Sequence, residues 1–284
     1  MKQRIITALV LAPIAIACIF LLPLKFFMLC SAALFLLASK EWGGFVNPQS
    51  TSSVILYLFG LVLAISLVLL PIGQLWVHGG IHPWIENGLI IAAIWWFVSL
   101  LLVISYPRKA NLWAGSKIIK TLFGLLTLIP FFWSMVVLRS VNIEHDFYYG
   151  SALLFFVFIL VWAADTGAYF CGKFFGKHKL APNVSPGKTI EGFIGGVVSA
   201  MLVAFIASIA FEIPSEKLML FFAASLITTL VSALGDLSES IFKREANIKD
   251  SGNLLPGHGG ILDRIDSLTA AVPIFTLTYL VWLN

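Results

Sequence analysis

Charged residues are scarce in this chain, and their scarcity limits the possible folds. Asp, Glu, Lys and Arg make up only 11% of its 284 residues, whereas 60% are hydrophobic. A soluble domain carries about 25% charged residues, because its surface needs polar cover. The composition therefore excludes an ordinary soluble enzyme. Apolar runs close to the ~20 residues that cross a bilayer instead predict an all-α polytopic membrane protein.

Cysteine is scarce too, and so are the sequence patterns of several protein classes. The three cysteines form no CxxC pair, which argues against a disulfide framework and against a zinc site. The sequence also lacks internal repeats and low-complexity tracts, and we expect no nucleic-acid partner.

The first apolar run, residues 5–22, is longer than the apolar core of a typical secretory signal, and no clear cleavage site follows it. We therefore interpret this run as a retained helix.

Apolar segments are distributed along the whole chain. They cover residues 5–22, 26–39, 54–71, 87–105, 118–138, 148–164, 191–211, 218–235 and 267–283. Cytoplasmic segments of membrane proteins are enriched in Lys and Arg. With a cytoplasmic N-terminus, fifteen of the eighteen Lys and Arg residues fall inside, and only Lys25, Arg139 and Lys217 fall outside. The pattern predicts about nine transmembrane helices, with the N-terminus cytoplasmic and the C-terminus outside.

The two halves of the chain differ in their polar segments. The predicted cytoplasmic segments of the second half are long and rich in Gly, Asp, Lys and Ser, whereas the first half has the character of a scaffold. We therefore predict scaffold helices in residues 1–140 and a catalytic transmembrane region in residues 141–284. Both would belong to one integrated membrane unit.

The first polar cluster covers residues 164–192. Asp165 is predicted at the membrane end of a span, where acidic residues are costly and usually functional. The lysines that follow it, including Lys173 and Lys188, predict a basic cytoplasmic loop that binds phosphate. A phosphate-binding P-loop is rejected, because Phe174 and Pro182 occupy positions that this motif reserves for other residues. A basic loop that binds anionic lipid heads remains an alternative.

The second polar cluster covers residues 235–267. A continuing helix would place Asp236, Glu239, Ser240 and Lys243 on one face, by their i, i+3, i+4 and i+7 spacing. Asp263 and Asp266 would lie one turn apart on the last span. Carboxylates from two helix ends can bind one Mg²⁺ together with substrate phosphates, and nearby Lys and Arg side chains can meet phosphate oxygens. Salt bridges that join the two helix ends are the alternative.

Two further features receive weaker interpretations. The run of Lys40, Glu41 and Trp42 predicts an anchor at the membrane interface, where Trp is enriched. His258 lies between glycines and either binds phosphate or shapes the turn. The sequence does not separate these two roles of His258.

At the polar clusters the chain resembles the phosphatidate cytidylyltransferases, also called CDP-diacylglycerol synthases. The resemblance rests on SIFKR at residues 240–244, on Lys249 and Asp250, and on PGHGGILDRID at residues 256–266. The first cluster, with ADTGAY at 164–169 and SPGKTIEG at 185–192, is similar to a second block of that family. Chain length and span count are also similar to those of the family.

The resemblance implies a polytopic homodimeric enzyme that joins CTP to phosphatidate and releases CDP-diacylglycerol and pyrophosphate. It implies Mg²⁺ with a monovalent cation such as K⁺ at a paired metal site. By motif position, the metal carboxylates here would be Asp236 and Asp263. We expect a cell inner membrane location with the active site facing the cytoplasm.

A phosphate monoester is largely dianionic at neutral pH, so the attacking lipid phosphate needs no dedicated general base. Catalysis would then consist mainly of positioning and charge neutralisation. We assign catalytic roles to Asp236, Asp263, Lys243, Arg264, Ser240 and Asp266. We assign substrate contacts to Lys188, Ser185, Thr189, Asp165, Lys173, Arg244, Lys249, Asp250, His258, Gly259 and Gly260. The alternatives are a CTP-dependent polyprenol kinase and an ion-coupled transporter.

Overall fold

The computed structural model describes residues 2–47, 53–77, 80–255, 257 and 259–283, with the backbone alone for residues 2–8. Within these residues the chain forms nine α-helices of 17 to 31 residues. They are α1 (Lys2–Leu21), α2 (Leu24–Val46), α3 (Ser53–Leu69), α4 (Pro83–Ser105), α5 (Lys117–Ser140), α6 (Tyr149–Phe175), α7 (Ile190–Ala210), α8 (Ser215–Glu245) and α9 (Leu262–Trp282). Each overlaps one of the nine predicted apolar segments.

Six of these helices, α4 to α9, are long and apolar enough to cross a membrane. The apolar stretches Leu9–Leu21 and Ser53–Leu69 are shorter. Large apolar side chains are exposed on the outside of the bundle, among them Val68 at 78% and Met219 at 83% exposure. Such a surface is costly in water but suits the hydrocarbon of a bilayer. The predicted all-α membrane protein is confirmed at this level.

Short β-hairpins, which the prediction of an all-α fold missed, interrupt the helices. Strands β1 (Trp76–Val77) and β2 (Gly80–Ile81) pair antiparallel, as do β3 (Lys179–Ala181) and β4 (Ser185–Thr189). Short 3₁₀ turns lie at Ile72–Gln74 and Ala110–Leu112. The β3–β4 hairpin connects α6 to α7. At its end the Thr189 hydroxyl accepts a hydrogen bond from Gly192 N at 3.1 Å, which caps the first turn of α7.

About half of each polar cluster lies on helices rather than in loops. Helix α6 continues to Phe175, past the predicted end at residue 164, and α8 continues to Glu245, past the predicted end at 235. Helix α9 begins at Leu262 instead of 267. A helix satisfies its own backbone hydrogen bonds, so polar side chains do not end it when a cavity accommodates them. Residues such as Lys173 therefore lie on rigid elements, and the prediction of a loop there is wrong.

Glycine allows two helix pairs to approach closely. A Cβ atom on Gly196 of α7 would lie 2.6 Å from the carbonyl oxygen of Ala164 on α6. A Cβ atom on Gly235 of α8 would lie 2.6 Å from the carbonyl oxygen of Asp266 on α9. Any side chain at either position would push the helices apart. The close packing brings the acidic residues of α6, α8 and α9 to a common space.

Hydrogen bonds between helix ends show how the helices alternate in direction. At one end of the bundle, Trp42 Nε1 donates to the Lys120 carbonyl oxygen at 2.9 Å, and Lys120 Nζ donates to the Phe45 carbonyl oxygen at 2.8 Å. At the other end, Arg139 Nε donates to the Ile19 carbonyl oxygen at 2.7 Å. The C-terminal ends of α2 and α5 therefore lie at opposite ends of the bundle, and α1 runs in the same direction as α5.

One apolar core joins both halves of the chain. The Trp42 ring lies 5.0 Å from the Phe242 ring, and the Phe20 ring lies 5.4 Å from the Phe155 ring, measured between centroids. Trp42 is only 2% exposed and its indole points into the bundle, so its predicted role as an interfacial anchor is wrong. The division into residues 1–140 and 141–284 stays a prediction.

Candidate active site

A cavity of about 630 Å³ opens between α6, α7, α8 and α9, and we call it the polar cavity. Its volume is typical of a small-molecule site. Ten of the predicted site residues line it: Asp165, Lys173, Lys188, Thr189, Asp236, Lys243, Asp250, Asp263, Arg264 and Asp266. Five of these are aspartates and four are lysine or arginine, so the lining carries both signs of charge. The two clusters that lie far apart in sequence thus meet at one place.

Asp236 lies within α8 and faces the β3–β4 hairpin. Its Oδ2 atom is 2.6 Å from Lys188 Nζ of β4, and both side chains are about one-third exposed. One turn later on α8, the Ser240 hydroxyl lies 3.5 Å from Asp236 Oδ1. The ion pair therefore links the second polar cluster to the first across the polar cavity.

Asp263 lies in the first turn of α9 and is held by several donors. Lys243 Nζ lies 2.5 Å from its Oδ1 atom, and the backbone N–H groups of Ser251 and Gly260 donate to its Oδ2 atom at 2.9 and 2.7 Å. Gly259 has a φ of +81°, a conformation that favours glycine, and a Cβ atom there would meet the Asp263 carboxylate. The loop before α9 is thus built around this carboxylate.

Lys243 connects the two helices that carry most of the acids. Its ammonium group lies 2.7 Å from Glu239 Oε2 on its own helix, as well as beside Asp263 on α9. The Glu239 side chain is 4% exposed and that of Lys243 is 16% exposed. The predicted helical continuation past Asp236 is confirmed, and Asp266 lines the same cavity one turn after Asp263. Lys243 therefore offsets a concentration of negative charge that is largely shielded from solvent.

The remaining predicted polar side chains lie beside the polar cavity. A neighbouring space of about 470 Å³, which we call the basic cavity, is lined by Ser185, Ser240, Lys243, Arg244 and Lys249, among others. Lys243 lines both cavities. The structure therefore brings sixteen of the seventeen predicted residues to these two cavities or to the loop around Asp263. The seventeenth, His258, lies outside the described residues.

The fold and this geometry agree with the comparisons with known proteins. Residues 2–282 match the cytidylyltransferase family. The chain belongs to that family. It is 44% identical over 284 residues to the phosphatidate cytidylyltransferase of Haemophilus influenzae, covering 98% of each chain. It is 41% identical over 276 residues to the Pseudomonas aeruginosa protein of the same name, covering 97% of this chain and 95% of the relative.

A phosphatidate cytidylyltransferase of Bacillus subtilis is 42% identical over 150 residues, which is 53% of this chain and 55% of the relative. The family resemblance drawn from the two polar clusters is therefore confirmed. A cytidylyltransferase must bind a triphosphate, and the four cationic side chains of the polar cavity suit such an anion.

The donor set of this cytidylyltransferase suits a magnesium ion completed by substrate. The carboxylates that line the polar cavity supply oxygen ligands, which Mg²⁺ prefers. Within the described residues, no group of three or more His, Cys, Asp and Glu side chains is arranged to bind a metal by itself. Mg²⁺ is typically held by one or two carboxylates together with substrate phosphates and water. The residues of the polar cavity therefore fit the implied metal.

Glu41 is the residue of this cytidylyltransferase that sequence reasoning missed. The sequence pattern predicts an interfacial anchor here, but the Glu41 carboxylate accepts hydrogen bonds from Ile261 N at 2.9 Å and Leu262 N at 2.7 Å. These donors are 220 and 221 residues away in sequence. No local pattern around Glu41 signals such a distant contact. The anchor prediction for Glu41 is therefore wrong.

Proposed function

We propose that this cytidylyltransferase transfers the cytidylyl group of CTP to phosphatidate and releases CDP-diacylglycerol and pyrophosphate. The relatives from Haemophilus influenzae and Pseudomonas aeruginosa, which align over nearly their full length, carry the name of this activity. The observation that carries the proposal is the polar cavity, in which the Lys188–Asp236 and Lys243–Asp263 pairs, from the three elements β4, α8 and α9, face one space.

The proposed reaction joins two polyanions. A phosphate oxygen of phosphatidate forms a bond to the α-phosphorus of CTP, while the bond from that phosphorus to the bridging oxygen of the β-phosphate breaks. Pyrophosphate leaves with the bonding electrons. The attacking phosphate is largely dianionic at neutral pH, so no proton has to be removed from it. The protein has to position the two substrates in line and offset their charge.

Asp236 and Asp263 would hold Mg²⁺, with a monovalent cation such as K⁺ beside it. When bound, the metal supplies positive charge that offsets the phosphate oxygens. Lys188 and Lys243 already lie within 2.6 Å of these carboxylates, so their ammonium groups are held at the place where substrate phosphates would bind. Arg264 would bind the lipid phosphate, since guanidinium groups suit phosphate geometry.

The other residues have supporting roles in the proposal. The leaving pyrophosphate would contact the basic cavity, where Arg244 is held by its Nε donating to the Val184 carbonyl oxygen at 3.2 Å. Asp266 would orient Arg264 or a metal-bound water. Further substrate contacts would come from Ser185, Ser240, Lys249, Lys173, Thr189, Asp165, Asp250, Gly259, Gly260 and His258.

The lipid end of phosphatidate needs an apolar place next to its phosphate. Arg264 also lines a second cavity of about 550 Å³ between α1, α2, α6 and α9, which we call the apolar cavity. Apart from Arg264 its lining is largely aliphatic and aromatic and includes Leu34, Phe158 and Leu268. A lipid with its phosphate at Arg264 would place an acyl chain there, where the burial of each CH₂ group contributes about 0.8 kcal/mol.

Filling the apolar cavity should weaken the binding of the lipid and not that of the nucleotide. We expect Leu34→Trp to raise the KM for a long-chain phosphatidate by about tenfold, and to change the KM for CTP and for dihexanoyl phosphatidate much less. Leu29→Trp, at a 59% exposed position of the same helix, is the control. Equal KM values of the two variants for the long-chain lipid would show that the acyl chain does not bind in this cavity.

We also propose nine crossings of a cell inner membrane, with a cytoplasmic N-terminus and active site, and a homodimer. The opposite directions of α2 and α5, and the distribution of Lys and Arg, support this topology. A membrane-impermeant thiol reagent applied outside should label Asp146→Cys but not Lys177→Cys in a cysteine-free chain. The reverse pattern would contradict the orientation.

The activity itself is tested with purified protein, CTP and Mg²⁺, and with either phosphatidate or a polyprenol as acceptor. We expect CDP-diacylglycerol and pyrophosphate with phosphatidate and no phosphorylated polyprenol. A polyprenol kinase would give the opposite result, and an ion-coupled transporter would give neither product. Folded protein that yields no CDP-lipid across a range of Mg²⁺ concentrations and detergents would overturn the proposal.

A further inference from the structure

Glu41, near the end of α2, lies against the N-terminus of α9. Its Oε1 atom accepts a hydrogen bond from Ile261 N, and its Oε2 atom accepts one from Leu262 N, at 2.9 and 2.7 Å. The first N–H groups of a helix have no partner within the helix, and a negative charge beside them is favoured by the helix dipole. Glu41 therefore caps α9 from another helix, a role that residues next to α9 in sequence usually fill.

The same carboxylate also holds the loop that contacts Asp263. The Ser251 hydroxyl donates to Glu41 Oε2 at 3.0 Å, while Ser251 N donates to the Asp263 carboxylate at 2.9 Å. Ser251 is thus fixed between two acids, one from α2 and one from α9. The capped helix end and the fixed loop both determine where the Asp263 side chain lies.

Glycine at position 252 is an independent sign of this arrangement. A Cβ atom there would lie 2.6 Å from Glu41 Oε1, and its next nearest neighbours are also atoms of Glu41. Gly252 is not among the residues with positive φ, so its backbone conformation does not demand glycine. Glycine is needed there because the Glu41 carboxylate occupies the space that a Cβ atom would take. Gly260 is similarly restricted, by Glu41 and by the Ser251 hydroxyl.

We infer that Glu41 is a positioning residue of the active site, which sets Asp263 and Arg264 at the start of α9 without touching substrate. The inference rests on the proposed function for the statement that Asp263 takes part in catalysis. The contact between Glu41 and the loop does not depend on that function. Glu41 thus connects the predicted scaffold half of the chain to the catalytic half.

A double-mutant cycle between Glu41 and Gly252 tests the contact in the detergent-purified full chain without substrates. We expect Gly252→Ala to lower the Tm of the otherwise unchanged protein, and to lower it much less when Glu41 is already Ala. Gly44→Ala, on the helix of Glu41 with open space around the added methyl group, is the control and should not lower the Tm, because alanine favours a helix more than glycine does. If Gly252→Ala lowered the Tm equally in the protein with Glu41 and in the protein with Glu41→Ala, the two sites would be independent, and the inference would be overturned.

Kinetics test the positioning. In Glu41→Gln an amide N–H₂ group would face an N–H or O–H donor, so at least one hydrogen bond is lost. We expect kcat to fall by about tenfold or more and the KM for CTP to stay within about threefold. Glu86→Gln, at an exposed position of α4, is the control and should change neither value. A wild-type kcat in folded Glu41→Gln would overturn the positioning role. If the unaltered protein makes no CDP-lipid, the proposed function fails. The double-mutant cycle measured by Tm would still show whether Glu41 contacts the loop at Gly252.

Discussion

Asp236→Asn is expected to lower kcat by two or more orders of magnitude while the Tm stays close to that of the unaltered protein. The substitution keeps the shape of the side chain but removes a charge that would hold the metal, and a hundredfold loss corresponds to about 2.7 kcal/mol of the barrier. Asp236 is one-third exposed, and its carboxylate pairs with Lys188 and lies 3.5 Å from the Ser240 hydroxyl. The fold therefore depends little on its charge.

The measurement is kcat over a range of Mg²⁺ concentrations together with thermal unfolding. Glu216→Gln, at the exposed start of α8, the helix of Asp236, is the matched control and should change neither kcat nor the Tm. Asp263→Asn should lose activity to a similar extent but should also lower the Tm, because the Asp263 carboxylate accepts from Ser251 N and Gly260 N. Wild-type turnover of Asp236→Asn at low Mg²⁺ would contradict the metal assignment.

Lys243→Met is expected to lower both stability and activity. Lys243 lies within 2.7 Å of Glu239 and Asp263, whose side chains are 4% and 5% exposed. Removing one partner of a buried ion pair leaves an uncompensated charge and typically costs about 3–5 kcal/mol. Turnover should fall as well, because Lys243 faces both the polar and the basic cavity. Thermal unfolding and kcat measure the two effects separately.

A second substitution separates the stabilising role of Lys243 from its proposed role in catalysis. In Glu239→Gln combined with Lys243→Met, the buried negative charge of Glu239 is removed. We expect the Tm to recover in part, because Asp263 keeps its backbone donors, whereas kcat stays low. If activity recovered together with the Tm, Lys243 would be only a structural residue, and its assignment to substrate phosphate would be wrong.

Much of the site followed from local spacing in the sequence. The i, i+3 and i+7 positions of Asp236, Glu239 and Lys243 predicted one helical face, and α8 does continue through them. The nine helices of the described residues overlap the predicted apolar runs, because a long apolar run is a direct signal of a helix that can lie in a membrane, and six of the nine are long and apolar enough to cross one. Local spacing also predicted that Asp263 and Asp266 share a helix, as they do on α9.

Contacts between distant segments did not follow from the sequence. The Lys188–Asp236 pair and the cap of Glu41 on α9 depend on how helices pack, and no short-range pattern encodes them. The residue type of Trp42 predicts a position at the membrane interface, but the Lys120 carbonyl oxygen accepts a hydrogen bond from its indole N–H inside the bundle. Helix ends were misplaced where polar side chains continue a helix into a cavity, as at Lys173.

The position of a radioactive phosphate in the products tests the central claim most directly. The purified protein is given phosphatidate, Mg²⁺ and CTP labelled at either the α- or the γ-phosphate. Attack on the α-phosphorus predicts that the α-label enters the lipid product and that the γ-label appears only in pyrophosphate. Transfer of the γ-label to lipid, with the α-label left in CDP, would show a kinase and would contradict the proposed cytidylyl transfer.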